Sequence, residues 1–211
     1  MAKKSKKDKS SGQPTEIVAI IDRSGSMESV KSDAIGGFNH FLEDQKKLPG
    51  KATFTLIQFD HEIELKYNGV DISEVQPYTV DTYIPRGMTA LYDAIGRGIG
   101  EASRRGANRK VIVAILTDGH ENSSKEVTRQ QVSDMISKYE TEGWGFIFLA
   151  AGFSQFDAEH MAGSIGIKSD HAMGMSRSSD GVSALYERSS GAIHSYRTTG
   201  SVDPNWRQNK D

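Results

Sequence analysis

Residues 16–22, Glu-Ile-Val-Ala-Ile-Ile-Asp, form an unbroken apolar run rich in β-branched side chains and closed by an acid. Such a run predicts a strand buried on both faces. Downstream, Met27, Val30, Ala34, Phe38 and Phe41/Leu42 recur close to the helical period, which predicts a helix over 24–47, stopped by Leu48-Pro49-Gly50. Segments 53–59 and 62–67 alternate partly and are joined by Asp60-His61, predicting an antiparallel pair whose second strand lies at a sheet edge. Residues 68–87 carry prolines and no strong period and are expected to be a loop.

From Thr89 the helical period returns in Leu91, Ala94, Ile95, Gly98, Ile99 and Ala102 and ends near Arg105-Gly106. A second apolar strand is expected over 110–118, again closed by an acid, then a helix over 125–141 and a third buried strand over 144–151. A short helix over 153–163, a weak strand over 167–172 and a last helix over 182–196 complete the pattern. Apolar strands alternating with helices predict an α/β, doubly wound, Rossmann-like domain with a mostly parallel sheet and one antiparallel edge strand. One domain over 15–196 is expected, between a disordered Lys-rich leader, 1–14, and a disordered tail, 197–211.

Composition narrows the function classes. The chain has 211 residues and no cysteine, which excludes a disulfide framework and thiolate chemistry and suits a reducing compartment, with the cytoplasm as the default. No apolar run is long enough to span a bilayer, and the basic start lacks an apolar signal core, so neither membrane insertion nor export is expected. The net charge of −2 divides into +4 over the first nine residues and −6 over the rest. An acidic body argues against specific nucleic-acid binding, which draws on phosphate-neutralising Lys and Arg.

Ligands of doubly wound sheets bind beyond the carboxyl ends of the strands, where the strand order reverses. Both Asp22 and Asp118 fall at that edge. Asp22-Arg23-Ser24-Gly25-Ser26 sets a carboxylate and two hydroxyls at alternate positions of a turn, and Thr89 adds a hydroxyl just after Gly87. Each has a plain alternative as a helix cap or an ordinary turn. Together they form a hard, oxygen-only donor set suited to Mg2+, with Mn2+ or Ca2+ as alternatives, and a cation would relieve the repulsion between the two acids.

These motifs carry a resemblance. Asp22-x-Ser24-x-Ser26, Gly87-Met88-Thr89-Ala90-Leu91 and Thr117-Asp118-Gly119 resemble, in order and context, the three segments of the metal-ion-dependent adhesion site of von Willebrand factor type A domains. The resemblance spans 15–196 and implies that family's three-layer sandwich. It also implies that Asp22, Ser24, Ser26, Thr89 and Asp118 hold the metal and that Arg23, Gly25, His120 and Glu121 rim it. Its implied function is to bind a partner protein that presents Asp or Glu to the metal, by a chain monomeric in isolation and of intracellular bacterial or phage type.

Two other readings compete. A phosphohydrolase would want a second acid near Ser24 and a lysine near Asp118, which only Lys125 loosely offers, so no enzymatic activity is expected. A structural or assembly subunit, of a phage or a bacterial complex, would use the metal only to stiffen its loops. Gly96-x-Gly98-x-Gly100 lies within a helix instead of between strand and helix and is read as close packing on the sheet, not as a dinucleotide fingerprint.

Overall fold

A computed structural model describes residues 12–106 and 108–208; most of the expected Lys-rich leader lies outside them. The strands are β1 (Thr15–Asp22), β2 (Ala52–Phe59), β3 (Ile63–Asp71), β4 (Lys110–Thr117), β5 (Gly145–Ala151) and β6 (Ala172–Met175). The helices are α1 (Lys31–Lys47), α2 (Leu91–Ser103), α3 (Arg129–Thr141), α4 (Gln155–Ser164) and α5 (Ser179–Thr199). The sheet order is β3-β2-β1-β4-β5-β6, parallel throughout except for β3, which runs antiparallel along β2 at the edge.

This is the expected three-layer α/β sandwich. Alternate side chains of β1 feed two cores: Ile17, Ala19 and Ile21 pack with α1 and α5, while Val18 and Ile20 pack with α2. Both faces are therefore dry, which is why the strand sequences show no polar alternation. The strand order reverses between the adjacent parallel strands β1 and β4, whose register pairs Ile21 with Leu116, so Asp22 and Asp118 emerge side by side. Gly98 lets α2 approach closely, since a Cβ there would lie 2.8 Å from Ile20 Cδ1. Gly100 has no such neighbour within 4 Å, so only part of the glycine repeat serves packing.

The elements depart from the periodicity where tertiary hydrogen bonds compete with it. The single helix predicted over 24–47 divides into a 3-10 turn, Gly25–Val30, and α1, with Val30 at the break. Helix α3 starts at Arg129 and not at 125, because the carboxylate of Asp93 accepts from the amides of Lys125, Glu126 and Val127 and a Thr128–Gln131 capping box sets the first turn. The last strand falls at Ala172–Met175, after a 3-10 turn at Ser169–His171, so Ile167 is buried from a loop.

The region expected to be a disordered tail from 197 onward is packed up to the last described residues. Helix α5 continues to Thr199 and closes on a left-handed Gly200, Arg197 donates to the carbonyl of Gln45 at 2.6 Å, and Val202 and Trp206 join the core. Trp206 Nε1 donates to the carbonyl of Asp170 at 2.8 Å. Isolated apolar residues with no periodic neighbours gave no sign of this. Trp206→Ala is expected to cost about 3 kcal/mol, as for other large buried aromatics, and to lower the urea midpoint; an unchanged midpoint would show that the tail contributes no stability.

Candidate metal centre

The turn after β1 is held by the backbone before any side chain acts. The Arg23 amide donates to Phe59 O at 2.7 Å, the Arg86 amide to Arg23 O at 2.8 Å and the Gly25 amide to Gly87 O at 3.2 Å. Residues 83–89 thus wrap the Asp22 turn. Gly87 takes φ +65°, a left-handed conformation that costs glycine nothing, and a Cβ there would collide with the His61 ring. Tyr83, fully buried, donates its hydroxyl to Asp22 O at 2.6 Å and ties the same segment to the core.

On this frame the two carboxylates face each other's loops. Asp22 Oδ1 accepts from the Ser24 amide at 2.6 Å and Oδ2 from the Thr117 hydroxyl at 2.6 Å. Asp118 Oδ1 accepts from Ser26 Oγ at 2.7 Å and from Ser24 Oγ at 3.4 Å, and the two serine oxygens stand 3.1 Å apart. Thr89 joins from its own segment, its amide donating to Asn122 Oδ1 at 2.9 Å and Asn122 returning a bond to Thr89 O. A Cβ placed on Gly119 would lie 3.1 Å from Thr89 Oγ1 and 3.9 Å from Ser26 Oγ, so both oxygens border the same small space. The structure therefore brings Asp22, Ser24, Ser26, Thr89 and Asp118 together.

Burial raises the pKa of Asp22 from 3.8 to about 6, against the bonds from Thr117 and Ser24 that favour the anion. Burial likewise raises that of Asp118, with Ser26 and Arg177 opposing it. Asp118 Oδ2 is buried with no hydrogen bond at all. A pair of adjacent buried acids, one with an orphaned oxygen, is a costly arrangement that a divalent cation would resolve. The donors fit such an ion: two carboxylates and neutral hydroxyls, all hard oxygens.

The expected rim divides. Gly25 and His120 are exposed, and His120 packs edge-on to Phe153 with ring centroids 5.0 Å apart. Arg23 turns inward, and Glu121 stays half-exposed with its carboxylate engaged by backbone amides. Arg23 is buried, with Nε on Asp60 Oδ2 at 2.9 Å and Nη1 on Glu64 at 2.6 Å, so its charge is spent inside the protein. Glu121 accepts from the amides of Tyr92, Ser123 and Ser124, which fixes the loop after β4 against the start of α2.

Sequence reasoning missed Asp60 and Arg177. Asp60, fully buried at the end of β2, accepts from Arg23 and Arg86, each at 2.9 Å, and from the Glu62 amide at 2.7 Å, while its carbonyl accepts from the Ala90 amide. It clamps the serine turn to the threonine segment. A third strand-end acid was visible as a signal, but Asp60-His61 read as a hairpin turn. Arg177, from the loop after β6, places Nε 3.4 Å from Asp118 Oδ2 and donates Nη2 to Asp118 O at 2.6 Å. Nothing in its local sequence marks it. Two of the large exposed apolar side chains, Ile84 and Met88, lie on the segment that wraps the Asp22 turn.

No protein-family model matches the chain, and neither does any curated protein. Solved structures match its fold. The von Willebrand factor domain of the type V pili tip protein Mfa5 from Porphyromonas gingivalis superposes with a TM-score of 0.69 at 10% identity, over 90% of this chain and 98% of that one. Proximal thread matrix protein 1 from the mussel byssus gives 0.57 at 18%, over 84% of this chain and 45% of that one, and it has also been solved with a zinc-occupied metal-ion-dependent adhesion site. The pilus adhesin SpaC from Lactobacillus rhamnosus GG gives 0.63 at 15%, over 87% and 31%. The chain thus spans less than half the length of the mussel protein and of SpaC. It has the von Willebrand factor type A fold.

Proposed function

We propose that this domain is a metal-dependent protein-binding module, in which Asp22, Ser24, Ser26, Thr89 and Asp118 hold a divalent cation, Mg2+ in the first instance, for an acidic residue of a partner protein. The observation that carries the reading is the pair of buried acids, Asp118 with an Oδ2 that accepts no hydrogen bond and has only Arg177 at 3.4 Å, and Asp22 with its pKa pushed up to about 6. When bound, the cation supplies a coordination position that an outside carboxylate can fill. The chain's own residues do the rest. Neutral hydroxyls from Ser24, Ser26 and Thr89 leave much of an ion's charge unquenched, Asp60 and Arg86 fix the spacing of the two loops, and Ile84 and Met88 offer apolar contact around an acidic side chain. No residue is placed as a general acid or nucleophile, and we assign the domain no catalytic step. The zinc-occupied site of the mussel protein and the pilus adhesins among its structural likenesses support this reading as analogy of fold.

The test is retention of peptides that differ only in carrying Asp, Glu, Asn or Gln at one position, in Mg2+ and in EDTA. Acidic peptides are expected to bind in Mg2+ alone, and Thr89→Ala to weaken that binding more than it weakens Mg2+ binding measured by calorimetry. Peptide binding that persists in EDTA and in Thr89→Ala would favour an assembly surface with a structural ion and overturn the proposal.

A further inference from the structure

Asp118 is divided between two neighbours. Its Oδ1 faces the hydroxyls of Ser26 and Ser24, and its Oδ2 faces Arg177 Nε at 3.4 Å without a directed hydrogen bond. Arg177 reaches that position by crossing Gly152, where a Cβ would lie 2.9 Å from its Nε; with φ at +83° and its amide bound to Met175 O, Gly152 forms a bare step at the end of β5. The other arginines around the site are already neutralised: Arg23 by Asp60 and Glu64, Arg86 by Asp60 and Glu62. The only carboxylate that pairs with Arg177 among the described residues is the buried Asp118, and the Arg177 side chain stays 38% exposed.

The geometry points to Arg177 as a positioning residue that holds Asp118 with one oxygen toward the serines and, as a cation on the other oxygen, holds down the affinity of the centre for its metal. This inference rests on the metal-binding reading and deepens it. Two like charges sharing one carboxylate repel across a few ångströms, and in a partly dry site the repulsion is only partly screened. With Asp22 and Asp118 balanced by a divalent ion, Arg177 is the unbalanced charge. It leaves the loaded centre net positive, which suits an incoming carboxylate, and in the metal-free protein it is the one counter-charge the paired acids have.

The experiment is a Mn2+ titration, read by paramagnetic resonance of the free ion, on the wild type, Arg177→Gln, Arg177→Lys and Asp118→Asn, with thermal unfolding of each in EDTA and in Mn2+. Arg177→Gln is expected to bind Mn2+ roughly tenfold more tightly, to melt lower than the wild type in EDTA, and to recover in Mn2+. Arg177→Lys is expected to return the affinity toward the wild-type value, because the charge is kept while the bond to Asp118 O is altered. If a folded Arg177→Gln bound Mn2+ no more tightly than the wild type, or if Lys behaved as Gln does, Arg177 would be a loop brace and the inference would fall while the metal centre stood. A wild type that binds no Mn2+, or an Asp118→Asn that binds as the wild type does, would overturn the metal reading itself and this inference with it.

Discussion

Asp22→Asn is expected to abolish Mg2+ binding while leaving the metal-free protein as stable as the wild type at neutral pH, or more stable. The side chain is fully buried, and desolvation lifts its pKa from 3.8 to about 6. Between those values the folded protein keeps a proton that the unfolded chain has already released. The contribution of Asp22 to metal-free stability therefore falls as pH rises through that window and levels off above it. The shift of roughly two units corresponds to about 3 kcal/mol at most, given about 1.4 kcal/mol per unit, and the raised pKa of Asp118 acts in the same direction. Asparagine removes the charge but can keep the geometry, accepting from the Ser24 amide and donating to Thr117 Oγ1, whose own proton can turn to Gly119 O, 3.1 Å away.

Mg2+ reverses the slope. The ligands must be ionised to hold the ion, so binding weakens as pH falls through about 6 and the stabilisation it confers disappears with it. Melting temperatures of both proteins, measured in EDTA and in Mg2+ from acid to neutral pH, check all of this. A wild-type midpoint in EDTA that does not fall relative to that of Asp22→Asn as pH rises through the window would contradict the raised pKa. Asp22→Asn with undiminished Mg2+ affinity would remove Asp22 from the centre.

The second large effect is expected at a residue that contacts none of the proposed ligands. Asp60→Ala should destabilise the domain by about 3–5 kcal/mol, the usual consequence of stripping the partner from a buried charge. Arg23, buried in the same network, would keep only the half-exposed Glu64 as a carboxylate partner, beside Gln58 Oε1 at 3.4 Å, and the Glu62 amide would lose its acceptor. Because Asp60 also holds Arg86, the threonine segment should loosen from the serine turn, and Mg2+ affinity should drop along with the denaturation midpoint. Urea unfolding and Mg2+ calorimetry on Asp60→Ala and on Asp60→Asn, which keeps part of the hydrogen bonding, separate the two losses. A variant that loses neither would leave the clamp without an energetic role.

The sequence by itself determined the architecture and which five oxygen-bearing side chains, Asp22, Ser24, Ser26, Thr89 and Asp118, meet at the carboxyl edge. Parallel strands covered on both faces need uninterrupted apolar runs, so β1, β4 and β5 are written locally, and an acid ending two such runs can only emerge at the carboxyl edge. Turn chemistry is local too: Asp22, Ser24 and Ser26 alternate within one loop, and Gly87 precedes Thr89. Tertiary structure alone decided what those residues meet. Arg23 looked like a rim residue because it lies between Asp22 and Ser24, yet it turns inward to the acid that follows β2; Glu121, half-exposed, gives its carboxylate to backbone amides. Arg177, Tyr83 and Trp206 act on partners distant in the chain, and the segment from 75 to 90 buries Val75, Tyr78 and Tyr83 without any regular element. Periodicity records which face of a helix or strand is dry. It holds no information on which loop side chain will find an unpaired charge or carbonyl once the sheet has brought the loops together.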